Sequence, residues 1–324
     1  MTPAEPISND APLVTVVVPA FNSASFLEET LLALRRQTLK NIVIHVIDDG
    51  STDNSASIVE RHAAVDPRVR LTRQPNRGVS ATRNRGIQEA ESPLVALCDA
   101  DDVSVPERLE RQVKFLSSNP DVAIVSSYGW RMGATGRVVS VYDLGPTTRE
   151  EFEALKADGE PVYLILSSVM VRRDVAVCVG GFRSFAGMAE DLDFFNRVAD
   201  EHVILTLPER LIRYRVHGGS ASNRRFNRQT EDALLIRENM RRRRAGQREL
   251  TAEEFHEVLK RDPWVTRAGR ALNWRSRYAY RVAGGLLANG RLSGWVWLAY
   301  SFVLCPSVPT SRLRAQVLPR LRGQ

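Results

Sequence analysis

Apolar runs and amphipathic segments alternate along the first 130 residues of the chain. The β-branched and leucine-rich runs predict strands at residues 13–18, 42–47, 69–72, 94–98 and 122–125. The segments with helical spacing predict helices at residues 25–37, 53–64, 80–90 and 106–116. Strands and helices that alternate at this spacing are typical of βαβ units. The pattern therefore predicts an α/β fold, in which helices flank a mostly parallel sheet.

The second half of the chain is less regular. The elements expected here are strands near 138–141, 162–171, 203–207 and 212–216, and a helix at 190–199. Residues 226–324 have the pattern of basic helices, with breaks at Gly246, Asp262-Pro263, Gly290 and Pro306. The sequence therefore predicts an α/β part followed by a helical part.

The positive charge of the chain is concentrated in its last third. Residues 1–223 contain 24 Lys and Arg against 30 Asp and Glu, whereas residues 224–324 contain 21 against 8. A basic segment of this kind suits anionic lipid, nucleic acid or an acidic partner. The three cysteines form no CxxC pair and are interpreted as reduced, and residues 1–12 lack the pattern of a signal peptide. These features predict a cytoplasmic protein.

Polar motifs follow four consecutive predicted strands. They are Pro19-Ala20-Phe21-Asn22, the acidic segment 48–53, the segment 76–84 and Asp99-Ala100-Asp101-Asp102. Ligands of parallel sheets bind beyond the carboxyl ends of the strands. The four motifs are therefore expected to line one cleft.

Each motif has a binding interpretation and a structural one. Asp99 and Asp101 suit a hard divalent ion, but aspartates at a strand end can also cap the next helix. In the segment 48–53, Asp49 can accept a hydrogen bond from a base or a ribose, or Thr52 or Asp53 can simply cap the helix that follows. Arg83, near the start of a helix, suits a bound anion, although a surface arginine is the alternative.

In this order and spacing, the motifs resemble those of the family 2 glycosyltransferases, which invert the anomeric centre and have the GT-A fold. The resemblance covers about residues 12–222 and is strongest over 13–116. The divisions that it implies are a catalytic domain at 1–223, with a nucleotide-binding half at 13–126 and an acceptor half at 127–223, and a helical basic C-terminal region at 224–324.

The resemblance implies a donor site with a bound metal. The residues that it assigns to the donor are Pro19, Ala20, Asn22, Asp49, Arg83 and Asp99. Asp101 and His217 are expected to hold a divalent metal, Mn²⁺ or Mg²⁺, and an imidazole ligand favours Mn²⁺. The donor would be a nucleotide-diphospho-sugar, with a UDP-sugar favoured.

The resemblance also places a general base in the second half of the catalytic domain. Asp191, in the pair Glu190-Asp191 that opens the predicted helix, matches the family's base. Gly181 and Glu190 are expected on the acceptor side. The structural alternative is that these acids only complement the dipole at the start of the helix.

The function implied is inverting sugar transfer to a saccharide or lipid-linked acceptor, in the synthesis of bacterial cell-surface polysaccharide or glycolipid. A sugar-1-phosphate nucleotidyltransferase is one alternative, but it would carry a glycine-rich loop with an arginine where residues 19–22 read Pro-Ala-Phe-Asn. A non-catalytic partner subunit that binds sugar nucleotides is another, against which the acids Asp99, Asp101 and Asp191 argue.

The C-terminal region suggests contact with a membrane surface. The apolar run 292–305 spans 14 residues and contains two tryptophans and a tyrosine, whereas about 20 residues are needed to cross a bilayer. The arginines that follow, among leucines and without acids, are Arg312, Arg314, Arg320 and Arg322. The pattern predicts peripheral contact with anionic lipid at the inner face of the cell membrane, and no nucleic-acid partner. A helical cap on the catalytic domain is the alternative.

Overall fold

The computed structural model describes residues 11–184, 189–217, 226–288 and 291–310. Its contacts divide the chain into two units, which are Met1–His217 with Ile236–Gln247, and Gly218–Leu235 with Arg248–Gln324. The domain boundary expected between residues 223 and 224 lies outside the described residues. Residues 236–247, which the sequence assigned to the C-terminal region, belong to the first unit.

Nine strands form one sheet in the described part of the chain. They are β1 (Val14–Ala20), β2 (Ile42–Asp48), β3 (Val69–Arg73), β4 (Leu94–Leu97), β5 (Val103–Ser104), β6 (Val122–Gly133), β7 (Val138–Tyr142), β8 (Met170–Arg172) and β9 (Val203–Val216). The strand order is β3-β2-β1-β4-β8-β6-β9-β5, and β7 pairs with β6. The long pairings, β3-β2-β1-β4 and β6-β9, are parallel, whereas β5, β7 and β8 pair antiparallel. The predicted α/β class and mostly parallel sheet are confirmed.

Helices accompany the strands and continue beyond them. They are α1 (Ala24–Arg35), α2 (Ser55–Ala63), α3 (Val79–Glu89), α4 (Arg108–Ser118), α5 (Arg149–Ala157), α6 (Arg173–Cys178), α7 (Glu190–Glu201), α8 (Phe226–Arg244), α9 (Ala252–Arg261), α10 (Trp264–Ala288) and α11 (Ser293–Leu304). Strand β2 is buried throughout, as is β1 apart from Pro19. Strands covered on both faces require near-continuous apolar sequence, which is what these two runs provide.

Some of the predicted elements differ from the structure. The two strands expected at 203–207 and 212–216 are one strand, β9, because its pairing with β6 continues through shifts in register. In the run 162–171 only the end is a strand, since Ser167 and Ser168 form a short 3₁₀ turn. Helix α4 begins at Arg108, two residues later than expected. The carbonyl of Pro106 does not take part in the helix, because it accepts a hydrogen bond from Thr38 N (2.9 Å).

The second unit contains three complete helices among its described residues, α9, α10 and α11. Helix α9 starts with a capping box, in which Thr251 and Glu254 each accept a hydrogen bond from the other's backbone N–H. Phe255 of this helix packs with Leu235 and Leu250 in a small apolar cluster. None of the described helices combines the length and the apolar character needed to cross a bilayer.

Candidate active site

The polar motifs meet at one edge of the sheet. Strands β2, β1 and β4 are adjacent and parallel, so their carboxyl ends lie side by side. Ala20 pairs with Asp48, and the N–H of Asp49 donates to the carbonyl of Ala20 (2.8 Å). The N–H of Cys98, which leads into the acidic loop 99–102, donates to the carbonyl of Val17 (3.1 Å). The predicted gathering of the motifs is thereby confirmed.

The loop after β1 is joined to the loop after β2. Asn22 has a positive φ of 49°, a conformation that asparagine tolerates better than most residues. Its Oδ1 accepts a hydrogen bond from Thr52 N (2.8 Å), and its own N–H donates to the hydroxyl of Ser51 (3.0 Å). Pro19 and Ala20 lie at the end of β1 just before this joint. The donor roles expected of these three residues stay predictions.

Asp49 organises the loop before α3. Its Oδ1 accepts hydrogen bonds from Gln74 Nε2 (2.7 Å) and Arg77 N (2.9 Å), and its Oδ2 accepts one from Gly78 N (2.9 Å). Gly78 has a φ of 84°, which glycine adopts without strain. Asp49 therefore shapes a wall of the cleft, and contact with a base stays a prediction.

Arg83 joins two segments of the first unit that lie far apart in the sequence. Its Nη2 donates to Asp99 Oδ1 (2.9 Å), and its Nη1 donates to Glu190 Oε1 (2.8 Å). Glu190 lies 107 positions after Arg83 in the sequence. The guanidinium also lies over the ring of Phe182, 5.4 Å from its centre. Burial opposes its charge, but attraction by Asp99 and Glu190 outweighs burial and raises the pKa of Arg83. The alternative of a surface arginine is wrong, because Arg83 is only 4% exposed.

Asp101 and His217, which are expected to hold the metal, lie next to each other. Their role as metal ligands stays a prediction. The His217 Nε2 and Asp101 Oδ2 atoms lie 2.9 Å apart, and both side chains keep some access to solvent. Burial and the charge of Asp99 raise the pKa of Asp101, while His217 partly offsets them. Divalent ions at diphosphate sites are commonly held by one or two carboxylates, with water and substrate oxygens completing the shell.

The donor atoms present fit such an ion only in part. No group of three or more His, Cys, Asp and Glu side chains within the described ranges is placed to hold a metal. One carboxylate and one imidazole at Asp101 and His217 fit an ion whose remaining ligands come from a diphosphate and water.

Arg215 holds the acidic loop 99–102 through hydrogen bonds. Its N–H donates to Asp102 Oδ1 (2.7 Å), its Nε donates to the carbonyl of Asp101 (2.7 Å), and its guanidinium forms an ion pair with Glu29. Burial, together with the charges of Asp101 and Asp99, raises the pKa of Asp102 well above its usual range. Arg215, 2% exposed, supports the candidate site through these contacts, and the sequence analysis did not predict it.

One face of α1 completes this support. The hydroxyl of Thr30 donates to the carbonyl of Ala100 (3.0 Å). The ring of Phe26 lies 4.7 Å from the ring of His217 and 4.6 Å from the guanidinium carbon of Arg215. Since these helix residues lie within one turn of each other, a single face of α1 fixes both the acidic loop and the histidine.

Asp191 lies at the first turn of α7, half-buried beside Glu190. Its Oδ1 accepts a hydrogen bond from Leu192 N (2.7 Å). Burial and the negative charges of Glu190 and Asp99 raise the pKa of Asp191 to about 7, against the opposing effects of Leu192 N–H and Arg83. A carboxylate with a pKa near neutrality suits a general base.

Asp193, two residues further along α7, serves a structural purpose. It is 1% exposed and forms ion pairs with Arg183 and Arg197. Arg197 also donates to the carbonyls of Val179 and Gly181. Helix α7 is therefore bound to residues 179–183, which precede it in the sequence.

Gly181 is held against the first half of the domain. Asn84 Oδ1 accepts a hydrogen bond from Phe182 N, and Asn84 Nδ2 donates to the carbonyl of Phe182, both at 2.7 Å. Gly181 has a φ of 63°, and a Cβ there would lie 2.3 Å from Asn84 Oδ1. Both facts require glycine. The acceptor-side roles expected of Gly181 and Glu190 stay predictions.

The arginines 241–244 are paired within the first unit. Arg241 and Arg242 bind Glu238, while Arg243 and Arg244 bind Asp200. Four guanidinium groups thus share two carboxylates, so about half of this positive charge is balanced within the first unit.

The fold and the site geometry define an α/β protein with acidic residues gathered at the carboxyl ends of its strands, and comparisons with known proteins identify the family. The model of glycosyl transferase family 2 matches residues 15–180. The chain therefore belongs to glycosyl transferase family 2. An uncharacterized glycosyltransferase of Haemophilus influenzae is 28% identical over 243 residues, which are 71% of this chain and 74% of the relative.

Solved structures share the GT-A fold. The mannosyltransferase PcManGT from Pyrobaculum calidifontis, in complex with GDP-Man and Mn²⁺, aligns with a TM-score of 0.54 and 21% identity over 93% of this chain and 88% of that one. The TarS fragment from S. aureus, in complex with UDP-GlcNAc, aligns with a TM-score of 0.55 and 16% identity over 94% and 92%. The predicted GT-A fold class is confirmed.

Proposed function

We propose that this glycosyltransferase moves a sugar, with inversion, from a nucleotide-diphospho-sugar to an acceptor hydroxyl, with a divalent metal at its donor site. The observation that carries the proposal is the double ion pair of Arg83. This one guanidinium binds Asp99 of the acidic loop and Glu190 beside the candidate base. It thereby brings the donor side and the base side of the cleft into one site.

Asp191 is the proposed base. As the acceptor oxygen bonds to the anomeric carbon of the donor, the bond from that carbon to the diphosphate oxygen breaks. The hydroxyl proton passes to the Asp191 carboxylate, whose Oδ1 already accepts the Leu192 N–H. Attack opposite the leaving group inverts the anomeric centre. General-base catalysis of this kind contributes about 10²–10⁴-fold to the rate.

Asp101 and His217 are the proposed metal ligands, with Asp99 nearby. A Mn²⁺ or Mg²⁺ ion held by them would supply positive charge against the diphosphate of the donor. A Mn²⁺ complex of the structural neighbour PcManGT supports a metal-dependent reaction here. The nucleotide sugars bound to the neighbours are GDP-Man and UDP-GlcNAc, and a UDP-sugar remains the favoured donor of this chain.

A saccharide or lipid-linked molecule is the proposed acceptor, in the synthesis of bacterial cell-surface polysaccharide or glycolipid. The proposed location is the cytoplasm, with peripheral contact between the C-terminal region and the anionic inner face of the cell membrane. The exposed apolar side chains of α11 support this contact, among them Val296 and Val303.

A donor screen tests the proposal before any acceptor is known. The purified chain is heated with each nucleotide-sugar, with and without Mn²⁺, because a ligand at 100 times its Kd stabilises the fold by about 2.7 kcal/mol. We expect one donor to raise the melting temperature only with the metal, and Asp101→Ala to abolish that shift. The matched control, Asp158→Asn at the exposed end of α5, should keep it. No shift with any donor would contradict the proposal.

The anomeric configuration of the product tests the inversion. An α-linked donor should give a β-glycoside, which the proton coupling of the anomeric centre reports by NMR. A product that keeps the donor's configuration would contradict the single-displacement mechanism.

A further inference from the structure

Helices α10 and α11 of the second unit pack through small and polar residues. The hydroxyl of Ser276 donates to the carbonyl of Ser301 (2.8 Å), and the hydroxyl of Ser301 donates to the carbonyl of Ser276 (2.9 Å). Ala279 and Ala283 are buried in the same contact. A Cβ on Gly294 would lie 2.6 Å from the side chain of Leu287. Close helix packing through small residues and serines is typical of helices in an apolar solvent.

Helix α11 carries large apolar side chains that its contact with α10 leaves exposed. Those exposed to solvent are Leu292 just before the helix, Trp295, Val296, Tyr300, Phe302 and Val303. They recur every three or four residues, so they share one face. Leu292 is 80% exposed, Val296 70% and Val303 81%, and no charged residue lies between Ser293 and Leu304. This apolar face is about 18 Å long for a twelve-residue helix.

The sequence that contains α10 and α11 is strongly basic. The sequence contains ten arginines and no acidic residue after Asp262. Arg270 uses that aspartate, whereas Arg275 forms no ion pair with any residue that the structure describes. Arg275 instead lines a groove of about 270 Å³ between the two helices. The other walls of the groove are aromatic, from Tyr278, Trp297 and Tyr300.

We propose that the α10–α11 hairpin is a membrane-binding module: the apolar face of α11 enters the acyl region of an anionic bilayer, in the plane of the membrane. The groove at Arg275 then receives the phosphate of an anionic phospholipid headgroup. This proposal rests on the membrane contact in the proposed function and assigns it to particular residues.

Each part of the surface matches one layer of the bilayer. Valine and leucine on the apolar face meet acyl chains, while tryptophan and tyrosine favour the boundary below the headgroups. Arginine binds phosphate through paired N–H groups, and a basic surface is drawn to anionic lipid. A second copy that docked through the same surface would bring no acidic partner for Arg275, because no acidic residue follows Asp262 in the sequence.

Vesicle co-sedimentation of the full-length chain tests the proposal. Vesicles of phosphatidylcholine, with or without phosphatidylglycerol, are mixed with the protein at about 0.15 M salt, where long-range attraction is screened. Val296→Asp with Val303→Asp should lower the bound fraction roughly tenfold, because two apolar groups would be replaced by charges at the acyl boundary. Arg275→Gln should lower binding severalfold only where phosphatidylglycerol is present.

The matched control is Val65→Asp, at a first-unit valine that is 69% exposed. It should bind vesicles like the native chain. A second readout is the quenching of tryptophan emission by brominated acyl chains, which Trp295→Phe should reduce and Trp130→Phe should not. This quenching distinguishes a bilayer from soluble phosphate. Only the acyl chains of a bilayer carry bromine, so phosphate alone cannot quench the emission of Trp295.

Several results would overturn the proposal. They are native binding by the valine variant, unchanged quenching in Trp295→Phe, a lower melting temperature of the valine variant without lipid, and a change in its oligomeric state. The last two would mean that protein covers the face. Donor hydrolysis in solution, measured on the same samples, should be equal in native and variant chains. Vesicle binding without any donor turnover would contradict the proposed function but would still support the membrane-binding proposal.

Discussion

The proposed donor side and the proposed base side of the site are built in different ways. The acidic loop 99–102 follows β4 directly, and adjacent parallel strands set its place. Asp191 stands on α7, which is tied to that loop by the side chain of Arg83 rather than by strand pairing. The donor side is thus positioned by regular backbone, and the base side by a few buried side chains. Disturbing such side chains should separate the two functions.

Arg83→Met should have the largest effect. It leaves Glu190 and Asp99 without their shared cation, and breaking a buried ion pair typically costs about 3–5 kcal/mol. Because the Asp99 side chain is 31% exposed, we expect the lower end of that range, measured by urea unfolding. The control is Arg85→Met, two residues along α3, whose exposed pair with Glu89 is worth about 0.3–0.5 kcal/mol. Equal losses in both variants would refute the joining role of Arg83.

Arg215→Lys should weaken the donor side alone. Lysine keeps the charge but cannot bond the Asp101 carbonyl and Glu29 together from a fixed fork. We expect the Mn²⁺ concentration for half-maximal nucleotide binding to rise about tenfold, which corresponds to roughly 1.4 kcal/mol. Arg213→Lys, at an exposed position of the same strand, should leave it unchanged. An unaltered metal requirement in the Arg215 variant would show that the loop needs no such support.

The base side should reveal itself in the pH dependence. Asp191 can accept a proton only when it is ionised, and its pKa is raised to about 7. The single-turnover rate should therefore be constant above that pH and fall about tenfold per unit below it. Donor binding at the same pH values separates this effect from titration at the donor side. A rate independent of pH between 5 and 8 would contradict the assignment of the base.

Gly181→Ala should have the smallest effect, on stability. Gly180 and Gly181 both have positive φ, but a Cβ at Gly180 meets nothing within 4 Å, whereas one at Gly181 meets Asn84. The difference between the two alanine variants isolates that clash, which we expect to cost about 1 kcal/mol by thermal unfolding, the lower end of the range for overpacking, because the clashing atom is the end of the Asn84 side chain. Equal melting temperatures would show that Asn84 yields without loss.

The same contrast explains what the sequence could reveal. The runs that form β1, β2 and β4 predicted the sheet, and the motifs after them predicted the gathered carboxylates, because strand adjacency carries them. The role of Arg215 could not be read from the pattern. Arg213 and Arg215 are two residues apart in one strand, so the alternation of side chains predicts the same environment for both. In the structure Arg213 is exposed and Arg215 is buried. Contacts such as Arg83 with Glu190 depend on how distant segments pack, which periodicity does not record.

Asp191→Asn gives the most direct test that donor binding and proton removal reside on separate sides of one cleft. Transfer to the acceptor is followed in a single turnover with saturating donor and Mn²⁺, and donor affinity is measured on the same preparation. The account predicts that the rate falls about 10²–10⁴-fold, while affinity for the donor is unchanged. Native turnover by this variant, or a parallel loss of donor binding, would contradict it.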